Sequence, residues 1–231
     1  MIPIISFDDL KEATFLERLN RFLVALDYKN SLLKCHLHDP GRLHELLIRG
    51  SKVLILFTKN PSRKTSCDII AINNGDEWIF VHSGYHSMIA REFLKRKLIP
   101  ELSLFNKIIP EYKIGSSRID FLLINERKML LEVKGCTLFI DNIGYFPDAL
   151  TLRGTRHINE LAKAIDLGYD SGVLFLVMSD RILKVKPNAG TDKKFTEAVQ
   201  RAYNKGVKFY AYTFHFTNNT LFAVKQIPVE I

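Results

Sequence analysis

Residues 1–84 are predicted to form a small antiparallel β-barrel or sandwich and residues 85–231 a mixed α/β domain, making the chain a two-domain α/β protein. Two patterns carry this expectation. Up to about Val81 the chain offers short apolar runs broken by Gly, Pro and Asn, as expected of short strands joined by tight turns. Beyond Gly84, segments with helical spacing alternate with apolar runs, as expected of strands and helices packed in layers. A length of 231 residues, with 47% hydrophobic and 25% charged, is enough for two cores and excludes a disordered or collagen-like chain. The expected seam is Ser83–Gly84.

In the first half the predicted strands are Arg21–Leu26, Ser31–Leu37, Val53–Phe57, Asp68–Ile72 and Glu77–Val81, with turns at Asp27–Asn30, Asp39–Gly41, Asn60–Ser62 and Asn73–Asp76. Gly41–Arg49 reads as a helix, because Leu43, Leu46 and Leu47 share one face. In the second half, His86–Leu98 sets Met88, Ile89, Phe93 and Leu94 at helical spacing and closes before Pro100. Arg118–Ile124 and Met129–Lys134 read as strands joined by the polar turn 125–128. Leu152–Leu167 reads as a helix stopped by Gly168, and the apolar Gly172–Met178 as a strand buried on both faces. Thr191 or Asp192 caps a helix running to Asn204, and Val207–Thr213 and Leu221–Val224 supply the last strands.

A formal charge of +8 points to a polyanionic partner. The excess is uneven: residues 1–85 hold 11 basic and 10 acidic side chains, residues 86–231 hold 22 and 15. Cys35, Cys67 and Cys136 are odd in number and lack a C-x-x-C pair, which argues against a disulfide framework or a structural zinc ribbon and for small buried hydrophobes in a reducing compartment. Because Ile2–Ile5 runs into Asp8 and Asp9 without a basic n-region, and no apolar stretch is long enough to cross a bilayer, a cytoplasmic protein with no membrane partner is expected.

One cluster carries chemistry. In Met129–Lys134 an apolar strand runs into Glu-x-Lys, and the two-residue period sets Glu132 and Lys134 on one face. Asp120 lies on the preceding strand, and the short turn lets the two strands pair and bring the carboxylates together. Two carboxylates and a lysine suit metal-dependent phosphodiester hydrolysis. Mg²⁺ (or Mn²⁺) is held by one or two carboxylates together with phosphate oxygens, and a lysine orients water or offsets charge in the transition state. The competing reading is an ordinary ion pair on an exposed strand face.

The surrounding residues add a resemblance. Ser117–Arg118–Ile119–Asp120–Phe121, Leu131–Glu132–Val133–Lys134 and Asn142–Gly154, with His157 and Glu160 following, closely resemble the sugar fermentation stimulation protein family, SfsA. Arg18–Leu23, His38–Gly41 and Glu111 look like the same family's pattern. The resemblance implies an OB-fold-like N-terminal barrel (1–84) and a C-terminal domain (85–231) resembling the PD-(D/E)xK restriction-endonuclease-like fold, with Asp120, Glu132 and Lys134 as its catalytic residues. It implies a DNA-binding protein with a Mg²⁺-dependent endonuclease-like centre, or, alternatively, a non-catalytic DNA-binding regulator of sugar, particularly maltose, metabolism on a nuclease scaffold. One loop departs: the family often has His-Cys-Pro-Asn-Thr-Gly where this chain has His36–Leu37–His38–Asp39–Pro40–Gly41.

Glu111 and Asp148 are further candidate metal ligands, Asp148 being equally suited to cap the following helix. Candidate phosphate and DNA contacts are Arg18, Arg21, Arg42, Arg63 and Lys64 on the barrel, and Arg118 and Arg153 near the acids. His36 and His38 share a strand face without a third ligand in view, so loop packing rather than metal binding is expected of them and Asp39.

Overall fold

The structure, a computed structural model, describes residues 1–58, 60, 62–115 and 117–231, so Pro61 of the expected Asn60–Ser62 turn lies outside the described residues. The chain begins with β1 (Ile2–Ser6), β2 (Lys11–Asn20), β3 (Leu23–Tyr28), β4 (Ser31–His36), β5 (Lys52–Phe57), β6 (Cys67–Asn73) and β7 (Trp78–Phe80). There follow α1 (His86–Lys95), β8 (Lys107–Ile114), β9 (Ser117–Ile124), β10 (Lys128–Cys136), β11 (Leu138–Ile140) and β12 (Ile143–Phe146). Last come α2 (Leu152–Asp166), β13 (Asp170–Val177), β14 (Lys184–Pro187), α3 (Lys193–Asn204), β15 (Lys208–Thr217) and β16 (Thr220–Ile227).

One compact unit comprises Met1–Tyr85 with Met178–Asp180 and Phe214–Val224; the other comprises His86–Val177, Arg181–Thr213 and Lys225–Ile231. Where the sequence suggests one cut at Ser83–Gly84, the chain thus returns to the first unit twice. The reason is strand pairing: Ile2 lies opposite Ala223 and Trp78 opposite Phe216.

In the first unit β4, β3, β2, β5 and β6 pair in that order, and β6 meets β4 again through His36 and Asp68, closing a five-stranded barrel. Val24, Leu26, Cys35, Val53, Ile55, Cys67 and Ile69 fill it and are wholly buried. The cysteines are free and buried, as expected. β2 escapes the sequence reading because register shifts between Phe15 and Glu17 and between Arg18 and Asn20 break its alternation. The helix expected at Gly41–Arg49 is absent: 41–50 are loop and turns. Leu43 and Leu46 are buried as a helix face would be, but Leu43 has φ 52°, outside the helical region. Two arginines from the β2–β3 hairpin serve carbonyls here, Arg18 donating to the oxygens of Arg21 and Arg42 and Arg21 to that of Pro40.

In the second unit β8, β9, β10, β13 and β15 form a sheet, antiparallel across the first three strands and parallel across the last three. β13, buried along nearly its whole length, matches its apolar run. α2 packs on β9, β10, β13 and α3, burying Ile158, Leu161, Phe195, Val199, Val173 and Phe175 in one core. Asp192 caps α3 by accepting from the Phe195 N–H. The stretch between β10 and α2 carries β11 and β12, which join β14 in a small separate sheet.

Candidate active site

β10 begins as the sequence suggests, Met129, Leu130 and Leu131 being buried, but burial continues into Glu132, only 2% exposed. Its pairing with β9 is registered through Leu131 opposite Phe121, so the next couple sets Glu132 level with Asp120. On the far side of β9, Pro110 pairs Phe121 and Tyr112 pairs Ile119, which sets Glu111 level with Asp120. Glu111, Asp120 and Glu132 therefore form a row across three strands.

Each acid has a different environment. Asp120 Oδ2 accepts from the Val133 N–H at 2.7 Å. Burial, then the Glu132 charge, push its carboxyl up to about 6, against the pull of Lys134 and that N–H. Burial acts on Glu132 in the same direction, yet Lys134 and His157 hold its carboxyl below its ordinary value. Glu111 has φ 54°, is exposed, and pairs with Arg118 at 3.5 Å.

Glu132 Oε1 accepts from both Lys134 Nζ and His157 Nδ1. The His157 tautomer follows from its other nitrogen: Nε2 accepts from Arg153 Nε at 3.4 Å, so the proton sits on Nδ1. Arg153 and His157 lie four residues apart on α2, whose N-cap is Thr151, accepting from the Gly154 N–H at 3.1 Å. The cap role weighed for Asp148 thus falls to Thr151, while Asp148 lies partly buried in the loop before it. Glu132 Oε2 is buried and, among the described residues, has no hydrogen-bond partner. A buried carboxylate oxygen left open beside a second carboxylate is an all-oxygen donor set, which fits a hard cation such as Mg²⁺.

His86 opens α1, and nothing in its local sequence marks it as part of the site. Its ring packs on Gly135 so closely that a Cβ there would come within 2.2 Å of Cε1. Burial and the neighbouring Lys134 charge bring its imidazole down to about 4, so it is neutral at physiological pH. His157 is legible in the sequence as part of the family pattern, but nothing in the spacing of 132 and 157 shows that α2 folds back over β10.

The candidate DNA contacts divide. Arg18 and Arg21 hold the 39–42 loop, and Arg63 forks onto Asp68. Arg42, Lys64, Arg118 and Arg153 are exposed.

These features define a class: a closed five-stranded barrel of the OB type and a mixed α/β domain whose central strand carries a Glu-x-Lys with its glutamate buried. Residues 16–81 match the model of the SfsA N-terminal OB domain, and residues 84–220 that of the sugar fermentation stimulation protein RE domain. The chain belongs to the sugar fermentation stimulation protein family. A homolog in Methanothermobacter thermautotrophicus is 42% identical over 214 residues, covering 92% of this chain and 89% of its own. One in Thermosipho melanesiensis is 37% identical over 229 residues, covering 99% and 98%. The structure of Pyrococcus furiosus SfsA in complex with Ca²⁺ superposes over the full length of both chains with a TM-score of 0.93 at 24% identity, sharing the fold. Among the described residues no helix is long and apolar enough to cross a membrane.

Proposed function

We propose that this protein binds DNA and hydrolyses its phosphodiester bonds at a Mg²⁺- or Mn²⁺-dependent centre built on Asp120, Glu132 and Lys134. The observation that carries the reading is the division of labour at Glu132, one oxygen taken by Lys134 and His157, the other buried and open. Asp120 and Glu132 would hold the ion, with Glu111, level with Asp120 on β8, and Asp148 as candidates to extend the ligand set. When bound, the ion supplies Lewis acidity toward the phosphoryl oxygen and a lowered pKa for water. A relative solved with Ca²⁺, also a hard oxygen-seeking ion, accords with this donor set.

The chain's own residues do the positioning. His157, steadied by Arg153, fixes the Glu132 rotamer so that Oε2 stays turned away from Lys134. Lys134 offsets the buried Glu132 charge and would offset charge building on the attacked phosphate. The exposed Arg118 and Arg153 are available to hold the flanking phosphates.

Cleavage of single- and double-stranded DNA with Mg²⁺ or Mn²⁺ tests the proposal. Wild-type protein is expected to cut at least one form and Lys134→Ala to lose about a thousandfold in rate, the scale of removing a transition-state charge partner. Equal behaviour of the two proteins on every substrate sinks catalysis by this site and leaves a DNA-binding regulator.

A further inference from the structure

His36 and His38 lack a third ligand in the sequence, but the folded barrel supplies one from distant segments. The contact that closes the barrel sets His36 opposite Asp68. Two residues on, His38 Nε2 lies 3.2 Å from Asp68 Oδ1. His82, two residues beyond β7 and 7% exposed, stacks on His38 with ring centroids 3.7 Å apart. One ligand atom from each of His38, Asp68 and His82 lies within 4.8 Å of the other two. Gly84 makes room for this, since a Cβ there would come 2.9 Å from His82 Cε1.

We propose that His38, Asp68 and His82 form a binding site for a borderline divalent cation, Zn²⁺ by preference, and that Arg63 competes with the ion for Asp68. Two imidazoles and one carboxylate are a nitrogen-rich set that suits Zn²⁺, with a fourth position left to water. Mg²⁺ prefers oxygen ligands throughout, so the donor set itself separates this site from Asp120 and Glu132. Arg63 sits where the cation's charge would otherwise be needed, Nη1 donating to Oδ2 at 2.8 Å and Nη2 to Oδ1 at 2.5 Å. Oδ1 is thus shared between Arg63 and His38, and an ion bonded to it displaces at least that arm of the guanidinium. His38 would ligate through the Nε2 lone pair, with its proton on Nδ1. The three ligands join β6, the segment after β4 and the segment after β7, so the ion would tie the closure of the barrel and raise its stability by mass action. The proposal is independent of the catalytic reading, because it uses none of the same residues.

The test removes the acidic cluster first. Asp120→Asn/Glu132→Gln protein is titrated with Zn²⁺ by calorimetry and with Co²⁺ by visible absorption, whose intensity reports a low-coordinate nitrogen and oxygen environment. One ion per chain is expected. His38→Ala in that background should weaken binding by about a hundredfold or more, since even outer-shell partners of a metal contribute 10–100-fold. Arg63→Gln should tighten it by roughly fivefold, the release from one ion pair of ordinary strength. That gain also separates loss of a ligand from misfolding, because a damaged barrel would not bind better. No Zn²⁺ uptake by the background protein, or uptake unchanged by His38→Ala, overturns the site. Unchanged or weaker binding in Arg63→Gln overturns the competition.

Discussion

Glu132 in the α/β unit and Asp68 in the barrel unit are built from the same parts and end differently. Each carboxylate has one basic side chain and one histidine against it: Lys134 and His157 for Glu132, Arg63 and His38 for Asp68. At Glu132 both donors crowd onto Oε1 and leave Oε2 buried and open. At Asp68 the guanidinium spans both oxygens, and neither is left without a donor. The difference follows from donor shape. An ammonium is a point donor, whereas a guanidinium is a fork that matches a carboxylate edge to edge. A half-satisfied buried carboxylate is costly unless something completes it. A cation can therefore enter at Glu132 without displacing anything, and at Asp68 only by moving Arg63.

The largest expected effect breaks the comparison at its metal end. Glu132→Gln keeps the side chain's shape but removes the charge, and Mg²⁺ binding measured by calorimetry should fall by about a hundredfold or more. In the same assay His38→Ala should leave Mg²⁺ affinity within about twofold of wild type, because imidazole is a poor ligand for so hard an ion. Equal loss in both variants would mean that the two clusters are not chemically distinct.

A smaller effect concerns stability, and its sign differs between the clusters. Asp120, the middle acid of the row, has its carboxyl raised from an ordinary 3.8 to about 6. A raised acid stabilises the fold fully below its unfolded pKa, and that contribution is lost as pH rises through about 6. At neutral pH the ionised Asp120 of the metal-free protein therefore costs on the order of 2–3 kcal/mol, so Asp120→Asn should melt higher than wild type, with the gap closing toward pH 4. Asp68 behaves oppositely. Burial works against its charge, but the hydrogen bonds of Arg63 and His38 hold its carboxyl well below the ordinary carboxylate range. Its contribution is present above the unfolded pKa and lost as pH falls, so Asp68→Asn should lower the melting temperature at neutral pH, by roughly 1–3 kcal/mol of stability. Thermal melts of the three proteins with chelator at several pH values check both signs; a destabilised Asp120→Asn at neutral pH would mean the acid is already compensated.

How much of this was legible in the sequence depends on whether the signal was local. Glu132 and Lys134 sit two apart on one strand, and Asp120 one short turn away, so period and hairpin geometry brought them together on paper. The apolar run of β13 and the Gly168 stop after α2 were equally local. His157 was not, because its place beside Glu132 depends on α2 crossing back over β10. The histidine cluster was harder still. His38, Asp68 and His82 come from three segments, and only the β4–β6 closure brings the first two within reach. Gly41–Arg49 shows the converse, a helical spacing of leucines met by loop burial once Leu43 takes a left-handed conformation. A hydrophobic period states which side chains are buried, not which backbone buries them.

The smallest expected effect separates the barrel's arginines from its solvated cations, which composition alone had grouped as candidate DNA contacts. Arg18 donates to the carbonyls of Arg21 and Arg42 at 2.8 and 2.6 Å, the bonds that hold the segment carrying His38 and Asp39. Lys64 is exposed. Arg18→Ala leaves those carbonyls to water and should cost about 1–2 kcal/mol, seen as a lower midpoint in urea with the slope unchanged. Lys64→Ala should leave that midpoint within about 0.5 kcal/mol. On a DNA-binding curve measured against salt the order reverses. A lysine that contacts phosphate lowers the log–log slope by about one when removed, whereas Arg18, whose guanidinium already serves the loop, should leave the slope unchanged. If Lys64→Ala leaves the slope unchanged as well, Lys64 does not contact phosphate, and the exposed Arg42, Arg118 and Arg153 become the contacts to remove next.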